Sequence, residues 1–532
     1  MRPPLTLICA LLALPVLGVL GAWLQLDAAA WATLRHQAAT VLPGYVAQTA
    51  VLALGVALGT MLLGGATAAA VALFEFPGRR SFEWALLLPL AMPAYVLAYA
   101  WTDALQPSGV LQAALRSRLG ATGALWPDVR SLWGAVILFV LCLYPYVYLL
   151  TRAALAERGV QMMEAARLLG ADMRRRVLQV ALPLARPAVA AGVALALMET
   201  LADYGVGAFF GLTTFSTGIF KAWLAMDDRI AATQLASLLL LAVALLLAAE
   251  RRAQARLRFA ASRPTQRLEA RAHRLHGRAA AAAVVLCALP VLLGFVLPVA
   301  WLLRMLWLEA AGAELGLPLA RFVDWGLASL KLAGIAAGLA TALALALAVA
   351  QRTGGGRGWL ARLARLVGLG YALPGAVIAI GILLPLGWVQ QRWPAAGLSP
   401  WITGTIVGVI YAYLVRFTAV ALQSVESGLA RVPPSIDETA RLLGAGRWRI
   451  FRRLHLPLLR RSALAAALLV FVDVMKELPA TLVLRPFGSD TLAVVAYNLA
   501  RDERLGEAAL PSLAIVAVGL LPVVLLSRAL RH

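Results

Sequence analysis

The sequence predicts an all-α polytopic membrane protein with about twelve transmembrane helices in two related six-helix halves. Of its 532 residues, 62% are apolar and only 14% are charged, and the mean hydropathy is +0.82. Soluble proteins rarely contain runs of about 18 or more apolar residues, the length that crosses a bilayer. Such runs recur along the whole chain, and one polar motif occupies the same place in both halves.

Twelve apolar runs are each long enough to cross a bilayer as a helix of roughly 20 residues. They lie at about 5–26, 47–74, 84–105, 132–155, 188–211, 232–249, 279–306, 327–350, 366–388, 399–421, 462–484 and 508–527. A helix satisfies its own backbone hydrogen bonds inside lipid, and these runs lack the alternating pattern of membrane strands. We therefore expect six helices on either side of a polar linker.

The distribution of arginine predicts that both termini lie in the cytoplasm, because cytoplasmic loops carry an excess of basic residues. The expected cytoplasmic segments with arginine are 79–80, 174–176, 250–278, 352–365, 447–461 and 528–531. The linker 250–278 alone holds nine arginines against two glutamates. One expected outer loop is a mild exception to this rule, because it carries Arg116, Arg118 and Arg130 against Asp128.

The formal net charge of +22 is also typical of proteins that bind nucleic acid. Here the basic residues are spread over the expected cytoplasmic loops, and no compact basic domain exists to hold a duplex. We therefore expect a lipid bilayer and no nucleic acid as partner. The linker 250–278 either contacts anionic lipid head groups or is only the solvated join between the halves.

A seven-residue motif occurs twice, as Glu-Ala-Ala-Arg-Leu-Leu-Gly at 164–170 and as Glu-Thr-Ala-Arg-Leu-Leu-Gly at 438–444. The copies are 274 residues apart, and a Leu-Pro pair follows each at the same distance. The repeat predicts three regions: a first half at 1–249 with a coupling loop at about 157–187, a basic cytoplasmic linker at 250–278, and a second half at 279–532 with a coupling loop at about 424–461. Six helices per half give both copies the same topology, so we expect a pseudo-twofold axis along the membrane normal.

The composition of the motif predicts a short helix that ends at Gly170 in one copy and at Gly444 in the other, since glycine suits the left-handed turn after a helix. An exposed acidic residue and small alanines suit a helix that docks into a groove on a soluble partner. The alternative, two ordinary amphipathic loops, does not explain the identical spacing to Leu-Pro. We name residues 164–170 the first repeat segment and residues 438–444 the second repeat segment.

The motif, with an aliphatic residue ten positions after the glycine and then Leu-Pro, resembles the coupling-helix motif of permease subunits of type I bacterial ABC importers. The second copy departs from that pattern only at Thr439. Residues 88–99, 199–205, 217–223 and 476–487 also resemble the fused permeases of ferric-iron importers. The resemblance implies that the residues that couple to an ATPase are Glu164, Ala165, Ala166, Gly170, Glu438, Ala440 and Gly444.

The resemblance also implies a function and partners. It implies a permease of the bacterial cytoplasmic (inner) membrane that moves ferric iron, delivered by a periplasmic or extracellular solute-binding protein, into the cytoplasm. Two copies of a separate nucleotide-binding ATPase subunit would drive it. Permeases for thiamine or an aminophosphonate share this architecture, so the cargo stays open. A secondary transporter would also have twelve helices and internal repeats, but the paired motif favours the importer.

The lysines exclude an ATPase on this chain. A P-loop ends in Gly-Lys-Ser/Thr because its lysine must reach the phosphates. The only lysines are Lys221, Lys331 and Lys476, and none follows a glycine. We expect a transport subunit that is not an enzyme and binds no cofactor of its own, with ATP and Mg²⁺ used by the partner subunits.

Ionisable residues inside the apolar runs are candidates for the translocation pathway, because charges in hydrocarbon are costly. Glu199 and Asp203 are four residues apart and are expected to share a helix face, and their equivalents 274 residues later are Asp473 and Glu477. Lys476 follows three residues after Asp473. Four carboxylates against one lysine predict a net negative face that suits a trivalent cation or another positively charged solute. Alternatively, these charges form a polar network that holds the halves together, with Lys476 paired to Asp473.

No high-affinity metal site is predicted, because a tight ferric site needs several convergent oxygen or imidazole donors. The five histidines lie mostly in loops or tails. No cluster of acidic residues with histidine, and no nucleophile beside a base, points to a membrane-embedded enzyme. Cargo specificity is therefore assigned to the external solute-binding protein.

Overall fold

The structure is a computed structural model that describes residues 2–21, 23, 28–260, 273–312, 317–353 and 359–529. The described chain is helical apart from one pair of two-residue strands, which are parallel and place Phe74 opposite His273. The all-α prediction is therefore confirmed in its main statement. Part of the predicted linker, at 261–272, lies outside the described residues.

The first part of the chain, up to residue 260, holds strand β1 and twelve helices. Their bounds are α1 (Arg2–Gly21), α2 (Ala28–Ala39), α3 (Leu42–Leu73), β1 (Phe74–Glu75), α4 (Arg79–Ala85), α5 (Ala94–Leu105), α6 (Val110–Leu119), α7 (Leu132–Leu168), α8 (Met173–Arg175), α9 (Leu182–Ala202), α10 (Gly205–Phe209), α11 (Phe215–Phe220) and α12 (Arg229–Ala260).

The second part holds strand β2 and thirteen helices. Their bounds are β2 (His273–Arg274), α13 (Gly277–Val291), α14 (Leu297–Gly312), α15 (Leu319–Thr353), α16 (Trp359–Val367), α17 (Gly375–Arg392), α18 (Leu398–Thr403), α19 (Val407–Ala430), α20 (Pro434–Leu442), α21 (Arg447–Ile450), α22 (Leu456–Met475), α23 (Pro479–Leu484), α24 (Leu492–Arg501) and α25 (Leu505–Ala529).

Among the described residues, nine helical stretches are long and apolar enough to cross a bilayer, and there are ten if one bent pair of helices counts as a span. The nine coincide with nine of the twelve predicted runs. They are Leu42–Leu73, Leu132–Ala156, Met173–Ala202, Arg229–Arg252, Gly277–Gly312, Leu319–Arg352, Gly375–Arg392, Val407–Ala430 and Leu505–Leu525.

The other three predicted runs differ from a simple span. The first is the shorter apolar helix Leu5–Gly21. The third is the bent pair Arg79–Ala91 and Ala94–Leu119, which turns by 90° at the Met-Pro before α5. The eleventh is α22, which has the length of a span but carries Arg460, Arg461 and an aspartate.

Four π-helical turns occur among the described residues. Three of them end two residues before a proline, namely Arg176–Ala181, Leu292–Val296 and Phe451–His455. Proline has no backbone N–H, so the helix loses one hydrogen bond and accommodates the loss by a wider turn. Two of these turns precede the Leu-Pro pairs of the two repeats, and the duplicated sequence therefore repeats a backbone irregularity as well as a motif.

The chain forms two compact units, each made of discontinuous segments. Unit 1 comprises Met1–Ala38, Gly218–Leu240 and Pro318–Val495, and unit 2 comprises Ala39–Thr217, Leu241–Leu317 and Ala496–His532. Each unit therefore includes segments from both predicted halves. The two halves are the repeats of the duplicated sequence, whereas the two units are the groups of segments that pack together.

The two units have equivalent three-helix cores. In unit 2, α3, α7 and α9 pack against one another, and in unit 1 the equivalent helices α15, α19 and α22 do the same. Small residues permit the close approach in unit 2: a Cβ on Gly192 would lie 2.6 Å from the Cα of Val147, and one on Gly64 would lie 2.7 Å from the carbonyl oxygen of Tyr144. Such contacts stabilise helix pairs in membranes, where apolar side chains gain little from leaving lipid.

The first helix of each predicted half belongs to the unit built on the core of the other half. In unit 1, α1 packs along α16 and α17, and in unit 2, α14 packs along α5 and α25. The α1 contact is close, since a Cβ on Gly381 would lie 2.1 Å from the carbonyl oxygen of Pro15. The exchange ties the two halves of the sequence into both units.

Candidate functional site

The two repeat segments end in the same backbone structure. Gly170 and Gly444 have φ values of +83° and +75°, in the left-handed region that favours glycine. In the first copy the amide of Gly170 donates to the carbonyl of Arg167, and that of Ala171 donates to Ala166, both at 3.0 Å. The second copy repeats both bonds at the same lengths. This paired pattern is the Schellman motif, so the predicted helix ends at glycine are confirmed.

The two segments differ in how they join the preceding helix. The prediction of a separate short helix is right for the second copy, which lies on the nine-residue helix α20. It is wrong for the first copy, which forms the last turns of the 37-residue helix α7. The reason is local: Pro433 and Pro434 separate α20 from α19, whereas no proline lies between the span in α7 and Glu164. Two consecutive prolines remove two backbone N–H donors and so disfavour continuation of the helix from the preceding turn.

The predicted coupling residues are mostly accessible. Alanines 166 and 440 are half-buried, whereas the other five are exposed: Glu164, Ala165, Gly170, Glu438 and Gly444. Each segment therefore rests on the rest of the protein through its second alanine and presents its glutamate to solvent.

The sequence prediction missed the most exposed large apolar side chains of both segments, a pair of leucines before each glycine. Leu168 and Leu169 are 85% and 88% exposed, and Leu442 and Leu443 are 88% and 80% exposed. The repetition of Leu-Leu in both copies was the available signal.

The second repeat segment is held by a buried ionic triad in unit 1. Asp437, on the buried side of α20, accepts from Arg352 Nε at 2.5 Å and lies 2.8 Å from His455 Nε2. Arg352 also donates to the carbonyl oxygens of Leu429 and Pro433 at 2.8 and 3.0 Å. A single arginine thus links the end of α15, the end of α19 and the start of α20.

The first repeat segment is held by apolar packing instead. The residues equivalent to Asp437 and His455, 274 positions earlier, are Met163 and Ala181. Both are buried in one cluster. The other buried members of this cluster are Ala72, Leu73, Leu155 and Ala185. The two copies therefore share their exposed face but not the interactions that hold it.

The charge on Asp437 is stabilised in place. Burial raises the pKa of its carboxyl, but hydrogen bonds from His455 and Arg352 outweigh burial, so the pKa lies below the usual 3.8. A carboxyl with a lowered pKa contributes stability that is complete above the pKa of the unfolded state and is lost as the pH falls through the folded value. Asp437 therefore contributes its full stability at neutral pH, and this contribution is lost only in acid, at pH values below 3.8.

Replacing Asp437 by asparagine should loosen α20 at neutral pH. The change leaves Arg352 and His455 without the buried carboxylate, and breaking a buried ion pair costs about 3–5 kcal/mol. We expect faster amide hydrogen exchange in Pro434–Leu442 than in the wild type. Glu438→Gln, an exposed change on the same helix, should leave exchange unaltered. Equal exchange rates in Asp437→Asn and in the wild type would show that the triad does not hold the segment.

The predicted acidic helix face does not exist in the first half. Helix α9 carries Glu199 and ends at Ala202, and Asp203 follows with extended backbone. The side chain of Asp203 instead accepts from the amide of Val206 at 2.9 Å and so caps the start of α10. The carboxylate stabilises a break in the helix. Because Asp203 lies beyond the end of α9, its spacing of four residues from Glu199 does not place the two carboxylates on one helix face.

Glu477 lies at the equivalent break in the second half and is also not on a helix face. Helix α22 ends at Met475, and the next short helix, α23, begins at Pro479. Buried Glu477 accepts from the amides of Ala480 and Thr481 at 2.9 and 3.0 Å. It is also paired with Arg416, 3.4 Å away.

The remaining predicted pair occurs as expected. Lys476 Nζ lies 3.0 Å from Asp473, as in the polar-network alternative. In unit 1, the pairs Asp473–Lys476 and Glu477–Arg416 therefore neutralise both predicted carboxylates. Glu199 and Asp203, both half-buried, belong to unit 2, so the five predicted pathway residues divide between the units.

Arg416 is a functional candidate that sequence reasoning missed. It is 8% exposed on α19 and lies over the ring of Phe417 at 5.5 Å. The available signal was one arginine inside the predicted run 399–421, since a lone charge in a span usually has a partner. Among the described residues, no group of three histidine, cysteine or acidic side chains converges as a metal site.

Comparison with known proteins gives a consistent picture. The model of a family described as "binding-protein-dependent transport system inner membrane component" matches residues 61–258 and 342–532. The chain is 24% identical over 495 residues to the Fe(3+)-transport system permease protein FbpB 2 of Haemophilus influenzae, covering 91% of this chain and 89% of that protein.

Shorter parts of the chain are similar to permeases of another transport system. Over 159 residues the chain is 31% identical to PhnV of Salmonella typhimurium, provisionally assigned as a 2-aminoethylphosphonate transport system permease, covering 30% of this chain and 56% of PhnV. Over 174 residues it is 28% identical to PhnU of Salmonella choleraesuis, with the same provisional role, covering 33% of this chain and 61% of PhnU.

Proposed function

We propose, from the premise that this chain belongs to the family of binding-protein-dependent transport system inner membrane components, that it is the path by which ferric iron enters a bacterial cytoplasm. Membership makes it the permease of an ABC importer: a multi-pass, non-catalytic subunit of the inner membrane with two related halves. Such a system implies ATPase subunits and a solute-binding protein as partners.

The observation that carries the coupling mechanism is the pair of repeat segments with identical Schellman ends and exposed leucine pairs. Two equivalent surfaces on one chain suit two copies of one partner. In our proposal each segment docks one nucleotide-binding subunit, through Glu164 to Gly170 in one case and Glu438 to Gly444 in the other. ATP and Mg²⁺ act in those subunits, and this chain holds no cofactor.

We propose that all twelve apolar runs contribute to the membrane domain, with both termini in the cytoplasm and a pseudo-twofold axis relating the halves. In this arrangement the 90° bend before α5 and the breaks after α9 and α22 would put irregular backbone and carboxylates at membrane depth. Such backbone is tolerated where it is buried in protein or lines a cavity.

Ferric iron is proposed as the cargo because the relative that spans both chains almost completely is named an Fe(3+) permease. The acidic residues Glu199 and Asp203 of unit 2 supply negative charge that suits a cation. The second candidate is an aminophosphonate, since relatives provisionally assigned to 2-aminoethylphosphonate transport match about a third of the chain at higher identity.

Changing Glu164 and Glu438 together to alanine should abolish ATP-dependent uptake while the protein still inserts in the membrane. The expected cause is loss of both acidic contacts to the ATPase subunits. The measurement is iron uptake into proteoliposomes with the ATPase and iron-loaded binding protein, and Asp324→Ala, an exposed change on the proposed outer side, is the control. Uptake that survives the double change without any ATPase would favour a secondary transporter, and ATPase stimulation by 2-aminoethylphosphonate instead of iron would favour the second cargo.

A further inference from the structure

Unit 2 contains a cluster of phenol groups around the break between α9 and α10. Asp203 and Tyr204 form the break itself, Tyr99 lies on α5, and Tyr497 lies on α24. The four residues come from three distant parts of the sequence, and none of the phenols belongs to the predicted pathway set. Fold topology alone brings them together.

Two hydroxyls of the cluster lie close to each other. The hydroxyl of Tyr497 lies 3.2 Å from that of Tyr204, and the two rings are 5.7 Å apart. The carboxylate of Asp203 interacts electrostatically with the phenols of both Tyr99 and Tyr497. Its bond to the amide of Val206 fixes the carboxylate at the break.

Tyr99 provides the observation that points to a ligand. Its side chain is fully buried, yet its hydroxyl has no hydrogen-bond partner among the described residues. Leaving a buried hydroxyl unpaired costs about 1–3 kcal/mol, and native structures rarely retain such a group without a reason. Tyr95 and Phe209 hold the ring in place, with centroids at 5.8 and 4.9 Å.

The donor set has a definite chemical preference. Three phenol oxygens and one carboxylate are all oxygen donors, with no thiol or imidazole among them, and oxygen donors select hard cations. The nearby Arg130 does not oppose a cation with a free charge, because both its terminal nitrogens bind Glu503 at 2.6 and 2.7 Å. It also stacks on Phe209 at 4.7 Å.

We propose that Tyr99, Tyr204, Tyr497 and Asp203 form a transient site for ferric iron on its way through the protein. This inference rests on the proposed function. Each phenol that coordinates the iron forms an oxygen–iron bond and releases its proton to water, and the iron stays ferric throughout. On the proposed topology, Arg130 and Glu503 mark the outer side, so the site lies where a binding protein would release its cargo.

The experiment uses the purified full-length protein in lipid nanodiscs, titrated with ferric citrate. Coordination of phenolate to ferric iron should produce a visible charge-transfer absorption band. Since losing even an outer partner of a metal ligand costs about 10–100-fold in affinity, Tyr204→Phe with Tyr497→Phe should weaken iron binding by at least about tenfold. Tyr144→Phe is the matched control, because Tyr144 is also buried with an unpartnered hydroxyl but lies outside the cluster. It should keep the band.

Absence of the band in the wild type, or a band that persists in the double variant, would overturn the site. Equal affinity for an organic ammonium ion that competes with iron would also overturn the site. That result would indicate an aromatic cage for organic cations. The uptake assay tests the proposed function separately. Iron uptake without the band would leave the function standing and remove the site, whereas a tyrosine-dependent band without uptake would remove the function alone.

Discussion

Replacing Leu442 and Leu443 by serine is expected to abolish binding of an ATPase subunit at the second repeat segment, while the protein still folds in the membrane. Both side chains are at least 80% exposed, so their loss removes no internal packing. Burial of one leucine in an interface contributes about 1.5–3 kcal/mol. Losing two weakens binding by about a hundredfold or more. Affinity is measured by titrating the purified ATPase onto the permease in nanodiscs.

The same change at Leu168 and Leu169 tests whether the two segments act equivalently. We expect one ATPase to remain bound in either double variant and none in the fourfold variant. Leu119→Ser is a matched control: Leu119 is 68% exposed and precedes Gly120, which has φ +64°, but it lies on the proposed outer side. If the fourfold variant bound the ATPase as tightly as the control, the leucine pairs would not be the docking surface.

Local rules predicted much of this fold from the sequence. Nine of the predicted runs are candidate spans, and the glycine ends of both repeat segments follow from the backbone preference of glycine. The separate helix of the first copy was wrong because the motif alone does not specify what precedes it. Only Pro433 and Pro434, in the second copy, separate the helices. The helices that carry the two repeat segments therefore end in the same way but begin differently.

The packing partners were not predictable in the same way. Helices α1 and α14 are both mostly apolar, so neither their composition nor their order indicates which core they join. The exchange is decided by close contacts such as Gly381 against Pro15, which involve distant parts of the chain. Likewise, the acidic face was inferred from a spacing of four, but Asp203 and Glu477 lie beyond the helix ends. At these breaks each carboxylate accepts hydrogen bonds from amides of the following short helix. It therefore does not extend the face of the preceding helix.

Replacing Arg416 by methionine should destabilise unit 1 strongly, by about 3 kcal/mol or more. The change leaves the carboxylate of Glu477 buried without its cation, although the amides of Ala480 and Thr481 still donate to it. Adding Glu477→Gln should recover part of the loss, because it removes the orphaned charge. Thermal unfolding of the purified protein in detergent measures both variants.

Lys476→Met is the matched control, because its pair with Asp473 is partly exposed and exposed pairs contribute at most about 1 kcal/mol. A loss of only about 0.6 kcal/mol in Arg416→Met, the average for polar contacts between membrane helices, would show that the Glu477 pair does not pin the break. The comparison matters for transport, because a carboxylate that holds α19 against α23 is not available to attract a cation. Strong destabilisation in Arg416→Met, partly recovered by Glu477→Gln, would therefore assign the attraction of the cargo to the carboxylates of unit 2.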